Sequence, residues 1–167
     1  LAGGRELVLL CEHTPVLTLG RSTRLSEDLL VPESVLAARG IDCIRTSRGG
    51  RVTYHGPGQL VVYPIVRLRQ GVLRHVEWLA AAAVEVAASV GIAAAFSRET
   101  VGVFVGTQKL AAIGVHVSRR VSIHGLALNV AREATAPFRS GWFLPCGARP
   151  CCLPATGTGA GRATWCG

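Results

Sequence analysis

The sequence has no methionine and only one lysine, Lys109; the other 17 of its 18 basic side chains are arginines. Aromatic residues make up 5% of the 167 positions, so Ala, Val and Leu must supply most of the buried volume. Hydrophobic residues still reach 49%, which excludes a disordered chain and suffices for the core of one domain. No apolar run attains the roughly 18 residues of a membrane-spanning helix, so we expect no membrane partner.

The net charge of +8 favours acidic partners, because a basic surface steers oppositely charged molecules toward it. The arginines are scattered, and neither a basic tail nor an aromatic RNA-recognition motif occurs, so we expect no nucleic-acid partner. A GxxxxGK[ST] phosphate loop and a GxGxxG turn that opens a helix are both missing. The sequence therefore indicates no nucleotide cofactor.

Two of the six cysteines, Cys11 and Cys43, lie in apolar strand-like runs and are predicted to be core residues. The other four form the pattern C-x4-CC-x13-C, which matches no standard zinc site and has no histidine nearby. We therefore predict no metal site. These four residues are Cys146, Cys151, Cys152 and Cys166.

Hydrophobic periodicity predicts strands in both halves of the chain and one long helix between them, from His75 to Val90. This order favours an α+β sheet with helices on one face over a doubly wound parallel sheet. A short helix is predicted in "VPESVLAARG". Strands are predicted in "ELVLLCE", "PVLTLG", "IDCIRTS", "LVVYPIVRL", "VGVFVG", "KLAAIGVHV" and "SIHGLALNV".

Turns are predicted at residues 13–15, between the first two strands, near Gly106, and at Arg119-Arg120. Pro64 lies inside the fourth predicted strand, "LVVYPIVRL". Because proline cannot donate a ladder hydrogen bond, it predicts an edge strand or a bulge there.

The stretch "SRGGRVTYHGPGQL", residues 47–60, is predicted to be a glycine-rich loop. Glycines let a backbone pass close to a ligand, and five polar side chains accompany them here. This density favours a binding loop over a turn-rich hairpin with incidental polar residues. The polar residues are Arg48, Thr53, Tyr54, His55 and Gln59.

Lys109 heads the apolar run "KLAAIGV". The pKa of a lysine can fall toward neutrality on burial, whereas an arginine stays charged. Lys109 is therefore a candidate for proton transfer, or for a cation that lies beside a nucleophile. The residues alone leave a second interpretation open, in which Lys109 is a chance exception to an arginine-rich composition.

Cys146 is a candidate nucleophile because it lies in a tight turn, between Pro145 and Gly147. A nearby ammonium group would lower the pKa of its thiol and raise the thiolate fraction. Cys151 and Cys152 are rival candidates on sequence alone.

Among the five histidines, His55 is the best functional candidate because it lies in the glycine-rich stretch, and His124 is the second. A single histidine is most often structural. We therefore assign no role to His116, on an alternating strand, or to His13 and His75, in turns or caps.

Three segments together resemble the lipoyl(octanoyl) transferase family: "RGGRVTYHGPGQLVVYPI", "KLAAIGVHVSRRVSIHGLALNV" and "PCG", in this order and spacing. The resemblance covers about residues 6–147. Members of this family move an octanoyl group from acyl carrier protein to a lysine of a lipoyl domain. They share the fold of lipoate and biotin protein ligases. The resemblance thus implies a cytoplasmic acyltransferase with an α/β fold of the α+β type, in which helices flank a mixed sheet.

The resemblance also implies roles for individual positions. Cys146 would be the nucleophile that accepts the acyl group, and Lys109 would be its partner. The acyl-substrate site would be lined by Arg48, Gly49, Gly50, Arg51, Val52, Thr53, Tyr54, His55, Ala112, Ile113, Gly114, Gly125, Leu126 and Ala127.

The implied reaction is a ping-pong transfer through a thioester on Cys146. Its donor would be octanoyl-acyl carrier protein. Its acceptors would be lipoyl domains of 2-oxoacid dehydrogenases and the glycine cleavage H protein. Thioester exchange is nearly neutral in free energy and amide formation is downhill, so no cofactor is expected.

After Gly147 the sequence departs from the family, which continues into a Thr-Ser-Leu stretch and a further helix. We predict a catalytic domain at residues 1–147, with an incomplete N-terminal part, and an irregular tail at residues 148–167. Two alternatives stay open. One is an ATP-dependent lipoate or biotin ligase of the same fold, and the other is a non-catalytic module that binds acyl chains or carrier protein.

Overall fold

The computed structural model describes residues 5–139 and 149–154, and this part of the chain contains nine strands. They are β1 (Leu7–Cys11), β2 (Val16–Leu19), β3 (Asp42–Arg45), β4 (Val52–His55), β5 (Gln59–Ile65), β6 (Ala95–Ser97), β7 (Gly102–Val105), β8 (Gln108–Ser118) and β9 (Val121–Asn129). The helices are α1 (Leu25–Asp28), α2 (Glu33–Ala37), α3 (Val72–Ser89) and α4 (Ala136–Arg139), with a 3-10 turn at Arg132–Thr135.

The strands divide into two sheets. The larger has the order β1-β5-β9-β8-β7-β6 and is antiparallel throughout. The smaller has the order β3-β2-β4, with β2 parallel to β3 and antiparallel to β4. The predicted α+β class is confirmed; the fold is mixed because β2 and β3 pair in parallel in the smaller sheet and Lys109 of the larger sheet forms a parallel bridge with Pro150.

Helix α3 covers one face of the larger sheet. Its buried side chains are mostly small, so the helix approaches the strands closely and the core lies between them. The fully buried Val103, Leu110 and Ala111 form the strand side of this core. Predicted to begin at His75, the helix in fact begins three residues earlier, at Val72.

The pairing of β8 with β9 separates large from small side chains. Ala111 pairs with Leu128 and Ile113 with Leu126, and these four residues belong to the core beneath α3. Because side chains alternate along a strand, the residues between them project from the opposite face. Ala112 pairs there with Ala127, and Gly114 with Gly125, so this face has almost no side-chain volume.

Several local predictions are corrected by the pairing of distant segments. Strands β1 and β2 follow one another in the chain but lie in different sheets, so residues 13–15 do not close a hairpin. Residues Val52–His55, predicted as loop, form β4 because they pair with β2. Strand β6 and helix α1 were not predicted.

Strand β5 is not at the edge, although it contains Pro64. It lies between β1 and β9. It pairs with β9 along Gln59–Val62, and the chain pairs with β9 again at Arg67, which bridges Val121. Pro64 falls in the interruption between these two stretches. Proline is therefore tolerated in β5 because the hydrogen-bond ladder with β9 is interrupted at Pro64, and not because β5 is an edge strand.

Two predicted turns are confirmed as two-residue hairpins. The turn at Gly106 joins β7 to β8, and Arg119-Arg120 joins β8 to β9. Arg119 and Arg120 have φ values of 49° and 65°, a pair of left-handed conformations that matches the twist of the strands. The predicted core cysteines Cys11 and Cys43 lie on strands but are only partly buried.

Residues 149–154, the described part of the predicted tail, add to the larger sheet. The N–H of Lys109 donates to the carbonyl of Arg149, and the N–H of Cys151 donates to the carbonyl of Lys109, at 2.8 and 2.9 Å. The N–H of Leu153 donates to the carbonyl of Asn129 at 3.0 Å. Cys151 and Cys152 are buried as a result. Within the two described ranges, no helix has the length and apolar character to cross a membrane.

Glycines allow the connection between β3 and β4 to pack closely against neighbouring backbone. The N–H of Gly49 donates to the carbonyl of Val115 on β8 at 3.0 Å, and a side chain at Gly114 would come within 2.9 Å of the Gly49 carbonyl oxygen. On its other side, a side chain at Gly20 would overlap the carbonyl of Gly50. The connection therefore lies against β8 and against the end of β2 without room for an added carbon.

Gly20→Ala is expected to destabilise the fold by about 1–3 kcal/mol, because its methyl group must displace backbone. Urea unfolding measures the change. Gly49→Ala is the matched control, since its methyl group would lie 3.5 Å from the nearest atom, and it should change stability by less than about 0.5 kcal/mol. Equal stability of the two variants would contradict the close backbone packing described at Gly20.

Candidate active site

A cavity of about 650 Å³ lies between the two sheets. Its walls come from β2, β3 and β4 on one side and from β5, β8 and β9 on the other. The Ala112–Ala127 pair borders it, so the volume that these two small side chains do not fill becomes part of the cavity. Gly114 and Gly125 also border it, but there backbone lies where a side chain would be. Such a size is typical of a site for a small organic ligand.

Fourteen of the predicted site residues border this cavity, although they come from three separate segments of the sequence. Ile113 and Leu126 do so while also belonging to the core beneath α3. The fourteen are Arg48, Gly49, Gly50, Arg51, Val52, Thr53, His55, Lys109, Ala112, Ile113, Gly114, Gly125, Leu126 and Ala127.

One further predicted residue, Tyr54, is not on this wall. Tyr54 points into the core of the smaller sheet, where it is 3% exposed and meets the ring of Phe138 edge-on. It borders a second, smaller cavity of about 50 Å³, which Lys109 also borders. Burial raises the pKa of Tyr54. Cys146 lies outside the described residues.

A β-bulge sets the position of Lys109. Between Val103–Ala111 and Phe104–Lys109 the pairing of β7 with β8 shifts by one residue, so Leu110 is the extra residue on β8. Leu110 and Ala111 are both fully buried in the core beneath α3, although neighbouring residues of a regular strand point to opposite faces. Beyond the bulge Lys109 falls into phase with Ala112 and borders the cavity.

The ammonium group of Lys109 lies over an aromatic ring. Its Nζ is 5.4 Å from the ring centroid of Phe104, within the range of a cation–π contact. Lys109 is half-buried, and its backbone is held on both sides by residues 149–151. Lys109 thus places a cationic side chain beside both cavities.

Arg48 is the buried cation of the glycine-rich stretch, with 7% of its surface exposed. Its Nε and Nη2 donate to the hydroxyl oxygen of Thr18 at 3.0 and 2.7 Å, and Nη2 also donates to the Thr18 carbonyl. Its Nη1 donates to the carbonyl of Gly49 at 3.0 Å. The guanidinium is therefore fixed in place by hydrogen bonds to the oxygens of Thr18 and Gly49.

Arg51 has a different environment, although only three residues separate it from Arg48. Its Nη2 lies 2.8 Å from a carboxylate oxygen of Glu27 and 2.8 Å from one of Asp28, on helix α1. Asp28 is buried, and it also accepts from the N–H of Arg24. Arg51 thus ties α1 to the rim of the cavity, and its charge is shared with two anions.

His55 is buried in the wall between the sheets. Its Nδ1 lies 2.7 Å from the Gln59 side-chain oxygen, and its Nε2 lies 3.2 Å from the Thr18 hydroxyl. Burial is the main reason that the pKa of His55 falls from 6.5 to about 4; the hydrogen bond with Gln59 opposes this fall, and the positive charge of Arg48 adds to it. His55 is therefore neutral near pH 7.

A second polar group consists of His13, Tyr63 and His124, which border the cavity, and of Ser47, which pairs with His124. The Nε2 of His13 lies 2.8 Å from the Tyr63 hydroxyl, and the Nε2 of His124 lies 3.1 Å from the Ser47 hydroxyl. The rings of Tyr63 and His124 meet edge-on at 6.3 Å. Burial, and then the charge of Arg48, lower the pKa of His124.

His124 reaches this group through a strained backbone. Its φ is 62°, a conformation uncommon outside glycine, whereas the alternation of β9 would place it on the α3 face with Leu126. The residue opposite on β5 is Pro64, where the ladder is interrupted. A side chain at Gly125 would overlap the Val62 carbonyl, which explains the glycine that follows.

Sequence reasoning missed four residues that complete the wall or its support: His13, Thr18, Tyr63 and Asn129. Thr18 is the one polar position in the apolar run "VLTL", and Asn129 ends the run "LALN". A polar residue inside or at the end of an apolar strand could therefore have identified both Thr18 and Asn129 as candidates. His75, which was assigned no role, is buried and pairs with the Ser122 hydroxyl at 2.8 Å, away from the cavity.

Within residues 5–139 and 149–154, no group of three or more His, Cys, Asp or Glu side chains is arranged to hold a metal ion. The cavity wall is instead mostly apolar and includes buried Arg48, Lys109 and neutral His55. This arrangement can take up an apolar chain and place a polar carbonyl among hydrogen-bond donors.

His55→Gln is expected to flatten the pH dependence of stability between pH 4 and pH 6.5. In this window the unfolded wild-type chain binds a proton at residue 55 and the folded chain does not, because the folded pKa is about 4. The stabilisation is therefore complete above pH 6.5 and is lost as the pH falls toward 4, by about 3 kcal/mol.

Urea unfolding of both proteins at several pH values in this range measures the difference. His75 and His124, whose pKa values are also lowered, leave a residual slope in both proteins. Identical slopes for the variant and the wild type would contradict the prediction.

Comparisons with known proteins agree on one family. The family model described as "Lipoyl protein ligase A/B catalytic domain" matches residues 2–139. The chain is 46% identical over 143 residues to an octanoyltransferase of Solibacter usitatus, an alignment that covers 84% of this chain and 63% of the relative. It is 45% identical to an octanoyltransferase of Geobacter sp. (strain M21), covering 89% and 69%.

A third relative, an octanoyltransferase of Myxococcus xanthus, is 40% identical over 95% of this chain and 46% of its own length. The chain therefore spans about half to two thirds of the length of these relatives.

Solved structures with the same fold are lipoate ligases. A lipoate-protein ligase A bound with ATP superposes with a TM-score of 0.75, covering 90% of this chain and 64% of its own, at 15% identity. A bi-partite lipoate protein ligase from Thermoplasma acidophilum, described with its E2 lipoyl domain, gives a TM-score of 0.60 at 18% identity, covering 77% and 50%. Together with the matched residues, the two-sheet fold shows that this chain belongs to the lipoyl protein ligase A/B catalytic domain family.

Proposed function

We propose that this chain carries an octanoyl transfer activity for protein lipoylation. The donor is octanoyl-acyl carrier protein and the acceptor is a lysine of a lipoyl domain. The observation that carries the proposal is the cavity between the sheets, where segments 48–55, 109–115 and 124–127 meet around one apolar space. The likeness to three bacterial octanoyltransferases at 40–46% identity supports the choice of acyl group.

The octanoyl chain lies over the small residues of β8 and β9. Ala112 and Ala127 leave the space, and the apolar residues around them exclude water from the chain. Arg48, the backbone N–H groups and the hydroxyl groups of the wall are left to bind the polar end of the substrate.

The covalent step is assigned to Cys146 with Lys109 as its partner. Arg149 follows Cys146 by three residues in the sequence, and its carbonyl accepts from the N–H of Lys109 at 2.8 Å, which supports the choice of Lys109 as the partner. The thiolate of Cys146 attacks the octanoyl thioester. The carbon–sulfur bond to the carrier breaks, and the carrier thiolate leaves with a proton from the Lys109 ammonium.

The acceptor lysine completes the reaction. Neutral Lys109 takes a proton from the acceptor ammonium, and the resulting amine attacks the enzyme thioester. The carbon–sulfur bond to Cys146 breaks, an amide forms, and the second amine proton passes to solvent. The thiolate and the Lys109 ammonium are regenerated, so no nucleotide or metal takes part.

Charge supports acidic partner proteins. The net charge of +8 would steer an acidic carrier protein and an acidic lipoyl domain to the enzyme, more through association rate than through final affinity. By analogy with the Thermoplasma acidophilum ligase described with its E2 lipoyl domain, the acceptors are lipoyl domains. Those of 2-oxoacid dehydrogenases and the glycine cleavage H protein are the proposed set, and the cytoplasm is the proposed location.

Intact mass spectrometry after mixing with octanoyl-acyl carrier protein is expected to show one octanoyl adduct. The adduct should be removed by hydroxylamine, because a thioester is labile to it, and Cys146→Ser should form none. Lys109→Arg should form the adduct more slowly, since arginine keeps its proton. A lipoyl domain added afterwards should discharge the wild-type adduct and gain its mass.

Matched controls are Cys151→Ser and Cys152→Ser, which remove buried thiols but leave Cys146 in place. An adduct that persists in Cys146→Ser but disappears in one of these controls would move the nucleophile. A folded wild-type protein that forms no adduct, but activates lipoate with ATP, would be a ligase. Binding of carrier protein with no transfer would instead indicate a non-catalytic module.

A further inference from the structure

A buried row of side chains connects the strand of Lys109 with the smaller sheet. Asn129 Nδ2 donates to the carbonyls of Cys151 and Lys109, at 2.9 and 3.5 Å. Gln59 Nε2 donates to Asn129 Oδ1 at 2.9 Å and to the Tyr54 carbonyl at 3.2 Å. Gln59 Oε1 then lies 2.7 Å from Nδ1 of His55. Asn129, Gln59 and His55 are each at most 6% exposed, so water cannot substitute for these partners.

The donors and acceptors of this row leave one consistent orientation. The Asn129 amide must turn its NH₂ group to the two carbonyls, which can only accept, so its oxygen faces Gln59. Gln59 must then turn its NH₂ group to Asn129 Oδ1 and the Tyr54 carbonyl. Its oxygen is left facing His55, and a bond across 2.7 Å requires a proton on Nδ1.

The other side of His55 leads to the same conclusion independently. The Thr18 hydroxyl oxygen already accepts from Nε and Nη2 of Arg48, at 3.0 and 2.7 Å, and these two donors occupy both of its lone pairs. A proton on His55 Nε2 would point at this filled oxygen, 3.2 Å away. The single hydroxyl hydrogen of Thr18 has the Thr53 carbonyl and His55 Nε2 as its acceptors, each at 3.2 Å, and Thr18 has no lone pair left for a further donor. Nε2 must therefore be the unprotonated nitrogen.

We propose that Gln59 and Asn129 are positioning residues that hold His55 as the neutral Nδ1–H tautomer, with the lone pair of Nε2 directed at Thr18. The row runs from the Lys109 and Cys151 carbonyls through Asn129, Gln59, His55 and Thr18 to Arg48. It therefore couples the placement of the lysine strand to the placement of the guanidinium on the cavity wall.

The kinetic consequence of this inference rests on the proposed octanoyl transfer, whereas the tautomer itself does not. The first test is a long-range proton–nitrogen correlation spectrum of wild-type protein labelled with ¹⁵N-histidine, at pH 7. The His55 signals are those that disappear in His55→Gln. A protonated Nδ1 and an unprotonated Nε2 are expected, and a proton on Nε2 would overturn the proposal.

Gln59→Leu removes the acceptor for Nδ1 at similar volume. His55 is then expected to move toward the Nε2–H tautomer or a mixture, and an unchanged tautomer in the folded variant would overturn the role of Gln59. Ser122→Ala is the matched control, because it removes the partner of another buried histidine, His75, away from the cavity. It should leave the His55 signals as they are. The wild-type spectrum decides the tautomer even if Gln59→Leu does not fold.

In octanoyl transfer, Gln59→Leu is expected to lower kcat/KM by roughly 10- to 100-fold, the cost of a misplaced site, while Ser122→Ala leaves it unchanged. A wild-type enzyme that transfers nothing would refute the proposed function and leave the tautomer result standing. An active wild type together with an equally active Gln59→Leu, whose tautomer has changed, would refute the positioning role alone.

Discussion

The side-chain amide of Gln59 is the contact on which the arrangement of the two sheets depends. Gln59 belongs to the larger sheet, yet its two ends bond to His55 and to the Tyr54 carbonyl in the smaller one and to Asn129 in its own. A buried polar group without a partner costs about 1–3 kcal/mol, so the members of this row must be satisfied together. A shift of β4 against β5 would break several bonds at once, whereas an apolar interface would tolerate sliding.

The cavity depends on a second constraint, which is the lack of side-chain volume along β8 and β9. Glycine and alanine have opposite effects at the two ends of this surface. At Gly114 the missing side chain is replaced by the backbone of Gly49, which closes the cavity. At Ala112 and Ala127 the space stays open. Backbone approach and ligand space are thus produced by the same kind of residue, and the distinction comes from which segment lies opposite.

The site departs from regular sheet geometry at two points, and each departure changes the face on which a side chain appears. The bulge at Leu110 brings Lys109 onto the cavity side. The left-handed φ of His124 turns its ring from the α3 face to Tyr63 and Ser47. Strain of this kind persists only where surrounding contacts hold it, and both points lie next to the cavity. The strands supply rigidity, and the irregular positions supply the chemistry of the wall.

The sequence by itself determined seven of the strands, the long helix, the turns at Gly106 and Arg119-Arg120, and the likeness to one family. These follow from periodicity, from turn residues and from three long motifs, all of which are local. It also identified about half of the cavity lining, because the residues of the three motifs converge there. Only the tertiary structure decided that the strands form two sheets, that Val52–His55 is a strand, and that Thr18 and Asn129 support His55. The physical reason is that alternation reports which residues share a face, whereas pairing partners, bulges and buried hydrogen bonds are chosen between segments far apart in the chain.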